Sequence, residues 1–238
     1  MVIDAADPAR LARFWAAALG WEASTDDPDE AVAWPPGFEY PGPEALPLVF
    51  VPVPEPKTVK NRVHLDLASQ SADHYEALVA RVLDLGAART DIGQTDVPWT
   101  VLADPEGNEF CVLEPRLVYR DTGPVAAVVV DSADPAALAS FWQLAAGWTL
   151  RKDHEGVVSI RSPDRTGPYL EFLPSSDPRA VKNRVHLDVA PFREEDHAAA
   201  VAILRDAGAF PADVGQGEVT WAVLADPEGN EFCVLSPR

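Results

Sequence analysis

The chain has 238 residues, with 38 acidic against 19 basic side chains, a net charge of −19 at neutral pH and a mean hydropathy of −0.08. This charge argues against nucleic acid as a partner, because binding phosphates needs Lys and Arg to displace counterions. No apolar run reaches the length of a membrane span and no signal-type N-terminus is present, so no membrane partner is expected and the expected location is cytoplasmic.

The first strand-like segment runs from Met1 to Asp4. Asp7-Pro8 is a helix-start signal: Asp caps free amides, and Pro tolerates the first helical position because its missing N–H had no partner there. Leu11, Phe14, Trp15, Ala18 and Leu19 then trace one apolar helix face, and Gly20 ends it. Strand patterns follow at 21–24, 31–34 and 46–53, the last two separated by a Pro- and Gly-rich stretch from Pro35 to Pro47 that reads as a surface loop or pocket lid. A further strand at 62–68 leads into a second helix after Ser71. It carries Tyr75, Leu78, Val79, Val82 and Leu83 on one face and stops at Gly86. Strands at 88–92, 99–103 and 109–113 complete the set, the last two joined through the turn chemistry of Asp104-Pro105-Glu106-Gly107-Asn108.

The whole pattern then repeats. WTVLADPEGNEFCVL at 99–113 returns as WAVLADPEGNEFCVL at 221–235, and VKNRVHLD at 59–66 returns unchanged at 181–188, both offset by 122 residues. ADPARLARFWAAALGW from Ala6 returns as ADPAALASFWQLAAGW from Ala133, so the extra residues of the first copy fall between Trp21 and Pro56. Such duplication implies two domains of one design, with boundaries at 1–117 and 125–238, a linker from Arg116 to Pro124, and any site present twice.

Strand alternation places Arg62, His64 and Asp66 on one face and Val63, Leu65 and Leu67 on the other. The apolar trio is expected beneath the helices. The polar trio then faces a binding surface, where an imidazole titrating near neutral pH, oriented by Asp66, can move a proton. His186, Arg184 and Asp188 repeat the set. Trp99 and Trp221 are candidates for lining a pocket, and Trp15 and Trp142, on apolar helix faces, are expected in the core. Cys111 and Cys233 occupy one position in both copies, so they read as reduced thiols rather than a disulfide.

The βαβββ order, with the paired ADP…FW…GW, KNRVHLD and DPEGNEFCVL signatures, resembles the vicinal oxygen chelate superfamily, closest to its glyoxalase-like branch common in actinobacteria, alongside bleomycin-resistance-like domains. The resemblance covers nearly the whole chain. It implies an α+β fold of two tandem glyoxalase-like domains, each of paired βαβββ modules forming a cupped mixed β-sheet with flanking helices. In metal-bearing relatives the first, fourth, fifth and eighth strands supply the ligands. Here the first-strand position is Ala127 in the second copy and lies before Met1 in the first. The fourth is Glu171 or Val49, the fifth His64 or His186, and the eighth Cys111 or Cys233.

With so few donors left, no cofactor is expected; a divalent metal, if bound, would take His186, Glu171 and Cys233. The expected function is therefore metal-independent binding of a small molecule, a metabolite or antibiotic-like ligand, one cup per domain, lined by Arg62, Asp66, Trp99 and Cys111 or by Arg184, Asp188, Trp221 and Cys233. The alternative is a lyase or isomerase of glyoxalase type, using His64 or His186 as acid–base with help from Glu171. Single-copy relatives often pair to complete sites, so the tandem is expected as a monomer with intramolecular domain pairing, or as a homodimer.

Overall fold

The computed structural model describes residues 1–39, 46–154, 156–177, 179–215 and 217–238. The lid expected over Pro35 to Pro47 lies partly outside the described residues.

The first repeat contains β1 (Val2–Ala5), α1 (Pro8–Leu19), β2 (Glu22–Ser24), β3 (Ala31–Trp34), β4 (Leu48–Pro52), β5 (Val63–Leu67), α2 (Ala72–Asp84), β6 (Ala88–Arg89), β7 (Trp99–Ala103) and β8 (Glu109–Leu113). A short 3-10 turn, Leu117–Tyr119, lies in the linker. The second repeat follows with β9 (Val125–Ser132), α3 (Pro135–Ala146), β10 (Thr149–His154), β11 (Val157–Arg161), β12 (Tyr169–Pro174), β13 (Val185–Val189), α4 (His197–Asp206), β14 (Phe210–Pro211), β15 (Ala222–Ala225) and β16 (Glu231–Val234). The helix signals act as the sequence predicts. Asp7 accepts a hydrogen bond from the Arg10 amide at 3.0 Å, Gly20 adopts a left-handed conformation, and Ser71 caps α2.

The fold is α+β, with two glyoxalase-like domains and two eight-stranded mixed sheets, but each sheet draws on both repeats. The first runs β14-β15-β16-β13-β1-β4-β3-β2 and the second β10-β11-β12-β9-β5-β8-β7-β6. At each junction the strands are antiparallel, with Val2 opposite His186 and His64 opposite Val129. The expectation of one cup within each sequence repeat is thereby corrected. Each module leaves one side of a central strand unpaired, and that side is taken by a strand of the other repeat, β1 beside β13 and β9 beside β5.

The helices follow the other division. Trp15 and Phe14 of α1 pack edge-on against Phe110 of β8 at 5.0 and 6.2 Å, and Trp142 and Phe141 repeat this with Phe232 at 5.4 and 5.8 Å. The aromatic packing of α1 and α3 thus stays within a repeat while sheets join across repeats, and most of the buried apolar side chains form one contiguous cluster drawn from both.

The repeated DPEGNE turn is structural. Asp104 accepts hydrogen bonds from the Glu106 and Asn108 amides, the Asn108 side chain and Trp15 Nε1, and Asp226 does the same with Glu228, Asn230 and Trp142. Glu106 accepts from the Ala6 and Asp7 amides at 2.7 Å, pinning the entry to α1 to this turn, and Glu228 does so for α3. Gly107 and Gly229 take positive φ at the tip, which a side chain would strain.

Cleavage at a protease site inserted at the exposed Gly123 is expected to leave both fragments co-eluting as one species in size-exclusion chromatography. Separation into two half-sized species would show that strand pairing across the repeats does not hold the molecule together.

Candidate functional site

The cup faces are lined by the polar members of β5 and β13. Val63, Leu65 and Leu67 are buried under the helices, which turns His64 and Asp66 to the other side, and the second repeat does likewise with His186 and Asp188. Parallel pairing then brings Cys111 beside Asp66 and Cys233 beside Asp188. The result is one His–Asp–Cys corner in each cup: His64, Asp66 and Cys111 in the second sheet, and His186, Asp188 and Cys233 in the first. In each corner the imidazole nitrogen, carboxylate oxygen and sulfur lie within 4.8 Å of one another.

The corner is not arranged as a nucleophile–base–orienter relay. Such a relay needs thiol and carboxylate on opposite ring nitrogens. Here His186 Nε2 meets both, Asp188 Oδ1 at 3.4 Å and Cys233 Sγ at 3.8 Å. Burial, with Asp188 adding to it, pushes the Cys233 thiol up to about 12, and burial and Asp66 raise Cys111 further, so neither is a free thiolate nucleophile near neutral pH. Burial lowers the His186 pKa against the opposing pull of Asp188 and Asp4, which leaves a neutral imidazole.

Glu171 lies in the second sheet, separated from His64 only by Val129, with which both are in register. This overturns the grouping of Glu171 with His186 and Cys233. The crossed pairing of modules puts β12 and β13 in different sheets, so the glutamate joins the cup of His64 and Cys111. Its counterpart beside Val2 and His186 is Val49. Ala127 stands opposite Asp66. In neither cup do all four strand positions carry donors, so the residues do not fit the four-strand ligand set that metal-bearing relatives use.

The two cups are unequal. In the second, Tyr119 from the linker is 7% exposed and its hydroxyl donates to Glu171 Oε1 and Oε2 at 3.1 and 3.2 Å. Its ring packs edge-on against Tyr169 at 5.8 Å, and the Arg116 guanidinium stacks over Trp99 at 5.5 Å. Cys111, Leu113, Ala68 and Ala126 close around it. In the first sheet an open cavity of 1490 Å³ lies over the His186–Asp188–Cys233 corner, bordered by Val49, Val51, Leu235 and Trp221, the last 38% exposed. The expectation of two equivalent pockets is corrected by a topological fact: β8 and β9 belong to one sheet, so the segment connecting them runs over that cup. Sequence reasoning missed Tyr119: of the apolar triplet Leu117-Val118-Tyr119 in the linker only the tyrosine is buried, while Leu117 and Val118 stay exposed, so composition did not single it out.

Arg62 and Arg184 stand apart from the corners. Arg62 donates to Asn230, Glu228 and the Asp131 and Asp177 carbonyls, and Arg184 to the Asp4 and Glu55 carbonyls, so both clamp the seam between repeats. Lys60–Asp131 and Lys182–Asp4 ion pairs flank them.

Two cups, each assembled from two βαβββ modules, define the vicinal oxygen chelate architecture. The sequence profile of the glyoxalase-like domain family matches residues 1–113 and 127–235, and the chain belongs to that family. A glyoxalase I variant from Zea mays superposes with a TM-score of 0.65 at 18% identity, over 99% of this chain and 90% of that one. Glyoxalase I from Zea mays gives 0.61 at 15% identity over the same shares. A glyoxalase/bleomycin resistance protein/dioxygenase family enzyme from Burkholderia phytofirmans, 18% identical, matches 48% of this chain and 98% of its own, with a TM-score of 0.39. At these identities the likeness is one of fold. No curated protein sequence matches the chain.

Burial, helped by the negative charge of Asp66, raises Glu171 to about 7, while its bonds from Tyr119 and Ser159 oppose the shift. Because the folded-state value lies above that of the unfolded chain, ionising Glu171 costs stability, a cost absent below the ordinary carboxylate range and complete above about pH 7. Glu171→Gln is therefore expected to stabilise the protein at pH 8 by up to about 3 kcal/mol and to give no gain near pH 4. Denaturant unfolding at the two pH values checks this.

Proposed function

We propose that the protein binds one small, mainly apolar and planar molecule per chain, in the cup of the first sheet. The observation that carries this reading is the inequality of the cups. The open one keeps the cavity and an accessible Trp221, whereas the equivalent space in the other holds Tyr119 against Tyr169, with Arg116 over Trp99. The linker thus acts as a built-in occupant and illustrates the kind of surface a cup of this family offers: an indole face and a polar floor. In the first cup Val49 replaces Glu171, so its wall is more apolar than that of its twin.

At 1490 Å³ the open cavity exceeds the about 300–1,000 Å³ that encloses a drug-sized molecule, so there is room for one such ligand over the corner beside Trp221. Flat rings on Trp221 gain contact area at small entropic cost. A second reading, proton transfer on the bound molecule, is favoured by one observation: a neutral His186 imidazole faces the cavity.

Nile red, a neutral planar fluorophore, is the probe for this site. The wild-type chain is expected to take up one equivalent, and Trp221→Ala to weaken it by about tenfold. Trp99→Ala is expected to leave affinity unchanged, and Tyr119→Ala to open a second equivalent. Uptake that ignores Trp221→Ala, or two equivalents in the wild type, would overturn the reading.

A further inference from the structure

A second cavity, of 470 Å³, lies outside both cups, on the helix side of β5. The end of α1, one face of α2 and the last residues of the linker wall it, and Leu67 of β5 lies at its base. From α2 it is lined by His74, Leu78 and Arg81, spaced i, i+4 and i+7. They form one stripe along the helix, apolar in the middle with a basic group at each end. Trp21, half-buried just beyond α1, adds an indole to another wall. The volume falls within the about 300–1,000 Å³ of small-molecule sites.

Neither basic group is a requirement of the fold. Side chains that fix turns and helix entries carry the same letters in both repeats, whereas at the 122-residue offset Ile203 corresponds to Arg81 and Asp196 to His74. Arg81 gives one of its five N–H groups to the Ala18 carbonyl, at 3.3 Å, and makes no ion pair among the described residues. His74 Nδ1 accepts from the Gln70 amide at 3.1 Å, which leaves the ring proton on Nε2 and makes the imidazole a donor toward a ligand. No Asp or Glu is among the described residues lining this cavity, in a chain with 38 acidic against 19 basic side chains. The cavity over His186, by contrast, is lined by Asp4, Glu55 and Asp188. A guanidinium with unfilled donors at a partly apolar hollow selects an anion, and its planar fork matches a carboxylate. Seven residues of helix hold the two basic groups about 10 Å apart, too far for one compact anion to bridge but within reach of a two-ring aromatic acid.

We propose that this cavity binds one small aromatic carboxylate per chain. The carboxylate sits on Arg81, the rings lie against Leu78 and Trp21, and an acceptor at the far end takes the His74 Nε2 proton in a hydrogen bond. Gly123 and Pro124 of the linker complete the wall, and the linker occurs once, so the site is single although the chain is duplicated. Binding here is non-covalent and independent of what fills either cup.

Titration of the 15N-labelled full chain with 6-hydroxy-2-naphthoate, followed through the indole N–H signals of its tryptophans, tests this. The Trp21 signal, assigned by its loss in Trp21→Phe, is expected to shift saturably with half-saturation below about 1 mM. Arg81→Gln is expected to weaken binding by about tenfold, the scale of a charge-assisted hydrogen bond, and the neutral amide of the probe to bind the wild type as weakly. His74→Asn keeps an acceptor for the Gln70 amide but removes the Nε2 donor. It is expected to cost about fivefold with 6-hydroxy-2-naphthoate and nothing with 2-naphthoate, which lacks the hydroxyl. Circular dichroism checks that each variant is folded. A Trp21 signal that does not move, or affinity that ignores both Arg81→Gln and the loss of the probe's charge, would overturn the proposal. Movement of the Trp221 signal in place of Trp21 would put the acid in the first cup and overturn it equally. An equal effect of His74→Asn on both acids would overturn the orientation assigned to the ligand. Nile red uptake is expected to be the same in Arg81→Gln as in the wild type, so failure of the cup reading and failure of this one are distinguishable.

Discussion

Backbone hydrogen bonding between the repeats is the constraint on which the rest of the molecule depends. β1 lies against β13 and β5 against β9, each antiparallel, and these junctions turn four short modules into two closed-up sheets. A module alone would present an unpaired central strand, the exposed edge that folded proteins avoid. The seam is reinforced by side chains that reach over it: Arg62 and Arg184 on carbonyls of the opposite repeat, with Lys60 and Lys182 on Asp131 and Asp4. Helix packing has no part in this. Trp15 and Trp142 each serve their own repeat, so the two levels of organisation divide the chain differently.

The crossed sheets also explain why a duplicated protein has unequal cups. β8 and β9 flank β5 in one sheet, and their connection lays Tyr119 over that sheet's cup, against Glu171 and Tyr169. Tyr119 alone of the Leu117–Tyr119 turn is buried in that space, where its hydroxyl joins Ser159 in donating to Glu171. Burial then makes Glu171 reluctant to ionise, and Tyr119 offsets part of that cost. The first cup carries valine at the glutamate position and has no such requirement.

Carboxylates in this acidic chain fall into two groups by how they are satisfied. Asp104, Asp226, Glu106, Glu228, Glu109 and Glu231 accept hydrogen bonds or ion pairs that fix turns and helix entries, which accounts for the near-identical DPEGNE and KNR letters of the two copies. Letters repeated between the copies are thus mostly letters of the fold. Asp66 and Asp188 are equally repeated but only half-buried, and each sits against the histidine and cysteine of its own corner.

Local information sufficed for much of this. The helix caps at Asp7 and Ser71, the core placement of Trp15 and Trp142, the alternation that turns His64 and Asp66 away from the helices, and the glyoxalase-like order of elements all follow from interactions within a few residues or from periodicity. Which modules share a sheet does not, because β1 has the same local pattern whether it pairs within its own repeat or across it. Only the assembled fold decides that Glu171 stands with His64 rather than His186, that the linker buries Tyr119, and that Asp and Cys close on one nitrogen. These are long-range coincidences of strand register, and register is set by the competition among all the strands for partners rather than by any one segment.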